Sequence, residues 1–432
     1  MHLLPDPEFR IYIVDYIYND NIIMDPSQFS SDAPGSLHFD PDGYWTFHPF
    51  PLPPLFRWSD RLVMTLSAAD WALARMSALV IRAPDGFGGL MARIEAAASC
   101  RLSGQRTDLE ALCAHEAAYR SETAAPDGHE AAARYAAELE RVCRNAAVGA
   151  PALQEIAAIH GRLLPGPDDL RGPVGVFRRG QTWIGPPGSG PAEAVFVPPP
   201  PEAMTNALES LAGFMRSGTT LPPLVRLAMV HYQFTVIHPF YDANGRLGRL
   251  LNSLLLCRWG LLPGPLLALS PFLERRAGVY PELLGRVSRE NAVEEWLNFF
   301  LGGIVEQAVE TERVLEALES MRADYFSRLI SERAADRLEH VIDLFLAAPL
   351  MNISQVDIAL TEGNFKSAAR AVDRLVELNL LEETTGQARH RVFRAGEWLG
   401  KLLEILGDQI PEGDLDRRKE RKARQGRKLT AR

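Results

Sequence analysis

The twelve residues "HPFYDANGRLGR", His238 to Arg249, decide how this chain is read. Before them runs "PPLVRLAMVHYQFTVI". There Leu224, Leu227, Ala228 and His231 share one helical face, and Val225, Met229, Tyr232 and Val236 share another. A helix that is apolar nearly all round is a buried, central one. After them Leu247, Leu250, Leu251, Leu254 and Leu255 recur at helical spacing and make a core face. Arg246 and Arg249, three apart, sit together on another face in the first turns of that second helix. A histidine, an aspartate, an asparagine, a glycine and two arginines therefore meet between two buried helices. Polar groups there are costly unless something polar faces them.

The second helix opens with backbone N–H groups that have no intrahelical partner, and its dipole favours negative charge at that end. Gly245 permits close approach. Two guanidinium groups add forked donors suited to phosphate. This makes an anion site, most naturally for a polyphosphate. Asp242 at its edge suits Mg²⁺, which takes carboxylate plus phosphate oxygens. His238 can take a proton from a hydroxyl near neutral pH. Taken singly, each feature has a plainer explanation. A histidine at a helix end is usually a cap, Asn-Gly is usually a turn, and two arginines three apart usually mark a solvated face. Their coincidence in twelve residues favours nucleotidyl or phosphoryl transfer.

The rest of the chain sets the frame. Its 432 residues suggest two or three units, and 47% hydrophobic with 23% charged residues is ordinary for a globular protein. No uncharged apolar run of about 18 residues occurs, and the N-terminus lacks the pattern of a signal peptide. Cys100, Cys113, Cys143 and Cys257 lie far apart without metal-like spacing, as expected of reduced thiols in a cytoplasmic protein with no membrane partner. The net charge of −9 is uneven: Arg417 to Arg432 carries +8 and the rest −17. The tail 401–432 reads as solvated and disordered.

Residues 1–44 form an extension without a domain assignment, although "IYIVDYIYNDNIIM" favours a strand. "HPFPLPPLFRW" is a proline-rich lead-in to a helical region, 45–148, broken at "APDGFGG" and "TAAPDGHE". A central domain spans 149–338. In it "QTWIG" and "AVFVP" predict a hairpin around a Gly/Pro-rich turn, before helices resume at Glu202. Residues 339–400 read as helices followed by strand, turn and strand in "LLEETTGQARHRVFR".

"HPFYDANGRLGR" resembles the signature of the Fic (Fic/Doc) family, His-Pro-Phe-x-Asp/Glu-Gly-Asn-Gly-Arg-x-x-Arg, with Ala243 where glycine is commonest. "LPPLVRLAMVHYQFTVIHPF", "GQTWIG…VFVPPPP" and "LEALCAHE" extend the similarity over roughly residues 45 to 395. The resemblance implies a mainly α fold: a Fic-type helical bundle with a β-hairpin flap, an N-terminal helical region and a C-terminal winged helix-turn-helix-like domain. It implies transfer of AMP from ATP, the co-substrate, to a protein Ser, Thr or Tyr hydroxyl, with Mg²⁺ as cofactor. His238 then corresponds to the general base and Asp242 to the Mg²⁺ ligand. Asn244, Gly245 and Arg246 correspond to the inner-phosphate cradle, and Arg249 to the arginine at the γ-phosphate. Leu247 and Gly248 complete the nucleotide-binding run, Phe240 anchors the loop, and Tyr280 walls the adenine. Thr182, Trp183, Ile184 and Gly185 correspond to the flap, which holds the target as an added strand.

One position departs. Many relatives carry Ser-x-x-x-Glu-Gly, a self-inhibitory motif; the matching stretch is "SCRLSG", with Ser103 in place of the glutamate. An enzyme without that brake is expected, controlled by a partner, by target availability or by expression; a homodimer or an antitoxin-like protein is the expected kind of partner. UMP, phosphocholine or phosphoryl transfer on the same fold is the alternative among enzymes. DNA binding through the winged-helix-like segment is the alternative outside them. Lys366, Arg370 and Arg374 form a stripe there, but Asn352 to Arg394 holds six basic and six acidic residues, without the excess that DNA affinity needs.

Overall fold

The computed structural model describes residues 24–118, 128–164, 173–186, 188–330, 332, 335–360 and 363–407. The strand expected before Met24 and the basic run from Arg417 lie outside them. Two strands come first. β1 (Gly35–Asp40) and β2 (Tyr44–Pro49) pair antiparallel, with Leu37 opposite Phe47. Asp40 accepts a hydrogen bond from the Asp42 N–H, and Gly43 turns the chain at φ 94°. The boundary expected at residue 44 therefore falls inside a hairpin. The signal was present: alternating apolar residues on either side of Asp-Pro-Asp-Gly.

Helices follow: α1 (Asp60–Val80), α2 (Phe87–Arg101), α3 (Leu109–Ala117), α4 (Glu130–Arg144), α5 (Leu153–Leu163), α6 (Pro201–Arg216), α7 (Pro223–Ile237), α8 (Asn244–Arg258), α9 (Ser270–Arg275), α10 (Val279–Glu290) and α11 (Val293–Ser327). Ser59 caps α1 by accepting from the Leu62 N–H, and α6 and α7 begin with proline, whose missing N–H costs nothing there. α7 and α8 are the centre, with twelve and thirteen of their fifteen residues buried. α4, α5 and α6 pack around them, and α2 packs on α4, α8 and α9. Gly248 sets the α7–α8 approach, because a Cβ there would sit 3.2 Å from the Phe234 ring. No helix among the described residues is long and apolar enough to cross a membrane.

The expected flap hairpin is less regular than two strands. A single bridge joins Ile184 and Phe196, and a short 3-10 turn at Pro191–Glu193 fills the loop. Pro186, Pro191 and Pro198 to Pro200 lack the N–H groups a longer ladder needs. The flap gains support from the N-terminal segment. The Met24 N–H donates to the Ala194 carbonyl and the Phe47 N–H to the Val197 carbonyl, both at 2.9 Å. Met24, Tyr44, Phe47, Ala194 and Val197 form one buried cluster.

The chain divides into two compact units. One holds the described residues of Met1–Arg82, Phe87–His115 and Glu122–Thr311; the other holds those of Ala83–Gly86, Glu116–Ser121 and Glu312–Arg432. The second contains α12 (Ala335–Ala347), β3 (Leu350–Asn352), α13 (Ile353–Ala359), α14 (Phe365–Glu377), β4 (Glu382–Glu383), β5 (Val392–Arg394) and α15 (Gly396–Leu406). Its sheet runs β3-β5-β4, all antiparallel, with Arg394 opposite both Leu350 and Glu382. Phe345, Val356, Val372, Leu375, Phe393 and Trp398 make its core. α15 continues to Leu406, so the tail expected from residue 401 begins within a helix.

Candidate active site

The loop between α7 and α8 is held from several sides. His238 caps α7 with left-handed backbone, φ 50° and ψ 62°, and Ala243 precedes α8 at φ 57°. Left-handed backbone at Ala243 explains why glycine suits that place in the signature. Asn244 folds back on the loop: its Oδ1 accepts from the Phe240 N–H at 2.9 Å and its Nδ2 donates to the Phe240 carbonyl at 2.8 Å. The Phe240 ring, fully buried, stacks on His160 at 3.9 Å between centroids and 7° between planes. His160 Nδ1 accepts from the Gly175 N–H, which leaves Nε2–H to donate to the Asp242 carbonyl at 3.1 Å. Burial holds His160 down to about 4, in the neutral form this pairing requires.

Arg178 holds the other end of the loop. It is 1% exposed and pairs with carbonyls. Nε donates to His238 at 2.8 Å, Nη1 to Gly180 at 3.1 Å, and Nη2 to Pro199 at 2.5 Å and to Ile237 at 3.4 Å. It thus fills the carbonyl end of α7, where a cation is favoured, and ties that end to both sides of the flap. Burial pulls its pKa down to about 10.

These supports present a cavity of about 740 Å³ lined by His238, Asp242, Asn244, Gly245, Arg246, Arg249, Ser103 and Tyr280. The His238 imidazole is 5% exposed, and neither ring nitrogen has a hydrogen-bond partner among the described residues. Burial, aided by the Arg178 charge and opposed by the Thr235 backbone and by Asp242, pushes it down to about 4, so the ring is neutral at neutral pH and one of its nitrogens is free to accept a proton. The first intrahelical bond of α8 runs from Leu247 N–H to the Ala243 carbonyl. The N–H groups of Asn244, Gly245 and Arg246 precede it and point out of the first turn. Arg246 Nη2 lies 3.9 Å from Asp242 Oδ1, and Arg246 Nε is buried without a partner. No three His, Cys, Asp or Glu side chains converge as a metal group among the described residues. A divalent cation here would rest on Asp242 with ligand and water oxygens, the usual arrangement for Mg²⁺.

Arg249 points to the end of α2. Its Nε donates to Ser99 Oγ at 2.8 Å, and its Nη2 donates to the Ser99 carbonyl at 2.7 Å and to Ser103 Oγ at 2.8 Å. Ser103 Oγ donates in turn to the Ser99 carbonyl at 3.1 Å. Glu95, two turns back, bonds to Tyr135 and Ser270 rather than to Arg249.

Not every expected residue meets the cavity. Leu247 is fully buried and Gly248 faces Phe234, so these two build the α7–α8 contact rather than a ligand wall. The side chain of Asn244 is spent on Phe240, which leaves its backbone N–H for a ligand. Tyr280 does wall the cavity, its hydroxyl 2.7 Å from His231 Nε2. Of the flap, Ile184 lines the cavity, while Trp183, Thr182 and Gly185 do not. Local sequence does not reveal the roles of His160 and Arg178, places His231 only on an apolar helical face, and gives no sign of the wall formed by Met24, Gln28 and Phe29.

Residues 151–256 match the model of the Fic/DOC family. The chain carries a Fic/DOC family domain. Over 113 residues it is 34% identical to protein adenylyltransferase Fic of Drosophila yakuba, covering 26% of this chain and 21% of that protein. It is 31% identical to protein adenylyltransferase fic-1 of Caenorhabditis elegans over 113 residues, 26% of this chain and 20% of that one. The chain thus spans about a fifth of the length of the curated relatives it matches. A crystal structure of a Fic family protein from Desulfovibrio desulfuricans G20 superposes with a TM-score of 0.51 at 18% identity, covering 79% of this chain and 98% of that one. That likeness is one of fold, over 79% of the chain.

Proposed function

We propose that the Fic domain transfers AMP from ATP to a Ser, Thr or Tyr hydroxyl of a protein. The observation that carries this is His238: a buried, neutral imidazole with both nitrogens unpaired, in the same cavity as an open helix N-terminus and two arginines. The target oxygen forms a bond to the α-phosphorus, the bond to the bridging oxygen breaks, and pyrophosphate leaves. The hydroxyl proton passes to His238. Arg246 and the α8 N–H groups take the inner phosphates, and Arg249 takes the outer one. Mg²⁺, held by Asp242, would offset the charge of the phosphates. Two relatives whose names are protein adenylyltransferases support the choice of AMP.

The flap offers the target an edge. Ile184 spends its N–H and carbonyl on the Phe196 side, and Ala194 and Val197 are bonded to Met24 and Phe47. Trp183, between Thr182 and Ile184, has no main-chain partner among the described residues, so an added strand would pair along Thr182–Gly185.

Ser103 sits where the inhibitory glutamate of relatives is expected, and it does touch Arg249. The contact is neutral and shared with Ser99, so ATP competes with hydrogen bonds rather than with an ion pair. This favours an enzyme with a weak internal brake. In the second unit, the order helix, strand, two helices, strand, strand supports a winged-helix reading. Arg374 is paired with Glu332 and Glu377, and Arg391 with Asp373, which argues for docking rather than DNA binding.

Incubation of the full chain with ATP, Mg²⁺ and a cell lysate, followed by mass spectrometry, tests the reading. AMP on Ser, Thr or Tyr supports it. UMP, phosphocholine or phosphate adducts, given the corresponding donors, would assign another transfer to the same site.

A further inference from the structure

The cavity has two chemically different ends. The N–H nest, Arg246 and Arg249 make one. The other is mainly apolar, formed by Ile184 and Phe196 of the flap, Leu284 of α10, and Met24 and Phe29 of the N-terminal segment, with Glu282, Ser288 and Arg289 of α10 also in the lining. At about 740 Å³ the cavity falls in the range that holds a whole nucleotide-sized ligand. If phosphates take the charged end, the nucleoside takes the apolar one.

The N-terminal segment is fixed there as a strap. The Met24 N–H donates to Ala194 and its sulfur accepts from the Val197 N–H at 3.4 Å, which binds it to the flap. At the other end the Ser30 N–H donates to the Arg289 carbonyl at 2.8 Å, on α10. Asp25 caps the short turn Pro26–Gln28 between these anchors. Phe29 packs on Phe47 at 5.8 Å, so its ring is braced from behind by the hairpin. Gln28 lines the cavity, and its exposed side-chain amide makes no hydrogen bond among the described residues.

We propose that this strap reads the base, with Phe29 offering an apolar surface and Gln28 selecting adenine by its edge. The inference rests on the nucleotide reading above and names what that reading leaves open. An amide offers one donor and one acceptor side by side, which match the N6 donor and N7 acceptor of adenine. The two acceptors on the corresponding edge of guanine do not match.

The test uses the full chain and displacement of a fluorescent ATP analogue by ATP, GTP and inorganic tripolyphosphate. Gln28→Ala, an exposed substitution, should weaken ATP about tenfold and shrink the preference for ATP over GTP by the same factor. Tripolyphosphate, which has no base, should bind as before. Arg246→Ala should weaken all three ligands. If Gln28→Ala leaves ATP and the preference unchanged while Arg246→Ala weakens binding, the strap does not read the base and the nucleotide site stands. If Gln28→Ala weakens tripolyphosphate as much as ATP, the strap acts on the shape of the cavity and base selection is wrong. If Arg246→Ala changes nothing, the phosphate end itself is misplaced and both readings fall.

Discussion

His231 and His238 lie two turns apart on α7 and its cap, both buried and both held down to about 4. Their surroundings differ. His231 bonds to Tyr280 at 2.7 Å and to Asn252 through its other nitrogen, and it stacks on Trp296 at 5.8 Å. His238 has no partner at either nitrogen among the described residues and faces a cavity. Burial alone therefore does not mark a functional histidine. A buried polar group whose hydrogen bonds are unmade is costly, and such a cost is retained where a ligand completes the set.

The sharpest way to break this contrast is to delete each ring. His238→Ala should lower transfer by about 10²–10⁴ while thermal stability and ATP binding stay close to those of the parent. A variant that transfers AMP at the parental rate would remove His238 from the reaction. His231→Leu should act the other way. It strands the Tyr280 hydroxyl and the Asn252 amide, at about 1–3 kcal/mol for each buried group left unpaired. A lowered melting temperature with transfer reduced less than in His238→Ala is expected; no change in stability would mean that the network contributes little.

Ser103→Glu asks whether Arg249 can be withdrawn. A carboxylate at that position can pair with the guanidinium and compete with the outer phosphate, and a charge-assisted bond of this kind is worth about 1.5–3 kcal/mol. ATP binding and AMP transfer should fall by about tenfold, ADP binding by less. Equal loss for both nucleotides would place Arg249 away from the γ-phosphate.

The smallest effect concerns pH. His160, His231 and His238 are neutral in the fold down to about 4, whereas in the unfolded chain a histidine takes up a proton near 6.5. Below 6.5 the unfolded state binds more protons, so stability falls as pH drops from about 6.5 toward 4. Melting temperatures across that window should fall less in His238→Ala than in the parent. The rate at limiting substrate should show no loss of base near pH 6.5, because His238 is already deprotonated there.

The junction was legible because its chemistry is contiguous: helix ends, a glycine and paired arginines announce themselves at fixed spacing. The support beneath it was not. Arg178 meets His238 sixty residues away, and His160 meets the Asp242 carbonyl across eighty-two, contacts that no local period encodes. Leu247 is fully buried and Gly248 lies against Phe234, which the signature does not reveal because it lists residues without saying which side of a helix they take. The strap escaped notice because residues 24–30 are short and irregular, and their role comes from anchors on the flap and α10.

The central claim is that the α-phosphate of ATP becomes attached to protein through His238. Parallel reactions of parent and His238→Ala with ATP labelled at the α- or the γ-phosphate test it most directly. The account predicts protein-bound label from the α-position in the parent, little from the γ-position, and a loss of about 10²–10⁴ in the variant. Label retained from the γ-position, or α-label undiminished in the variant, would contradict it.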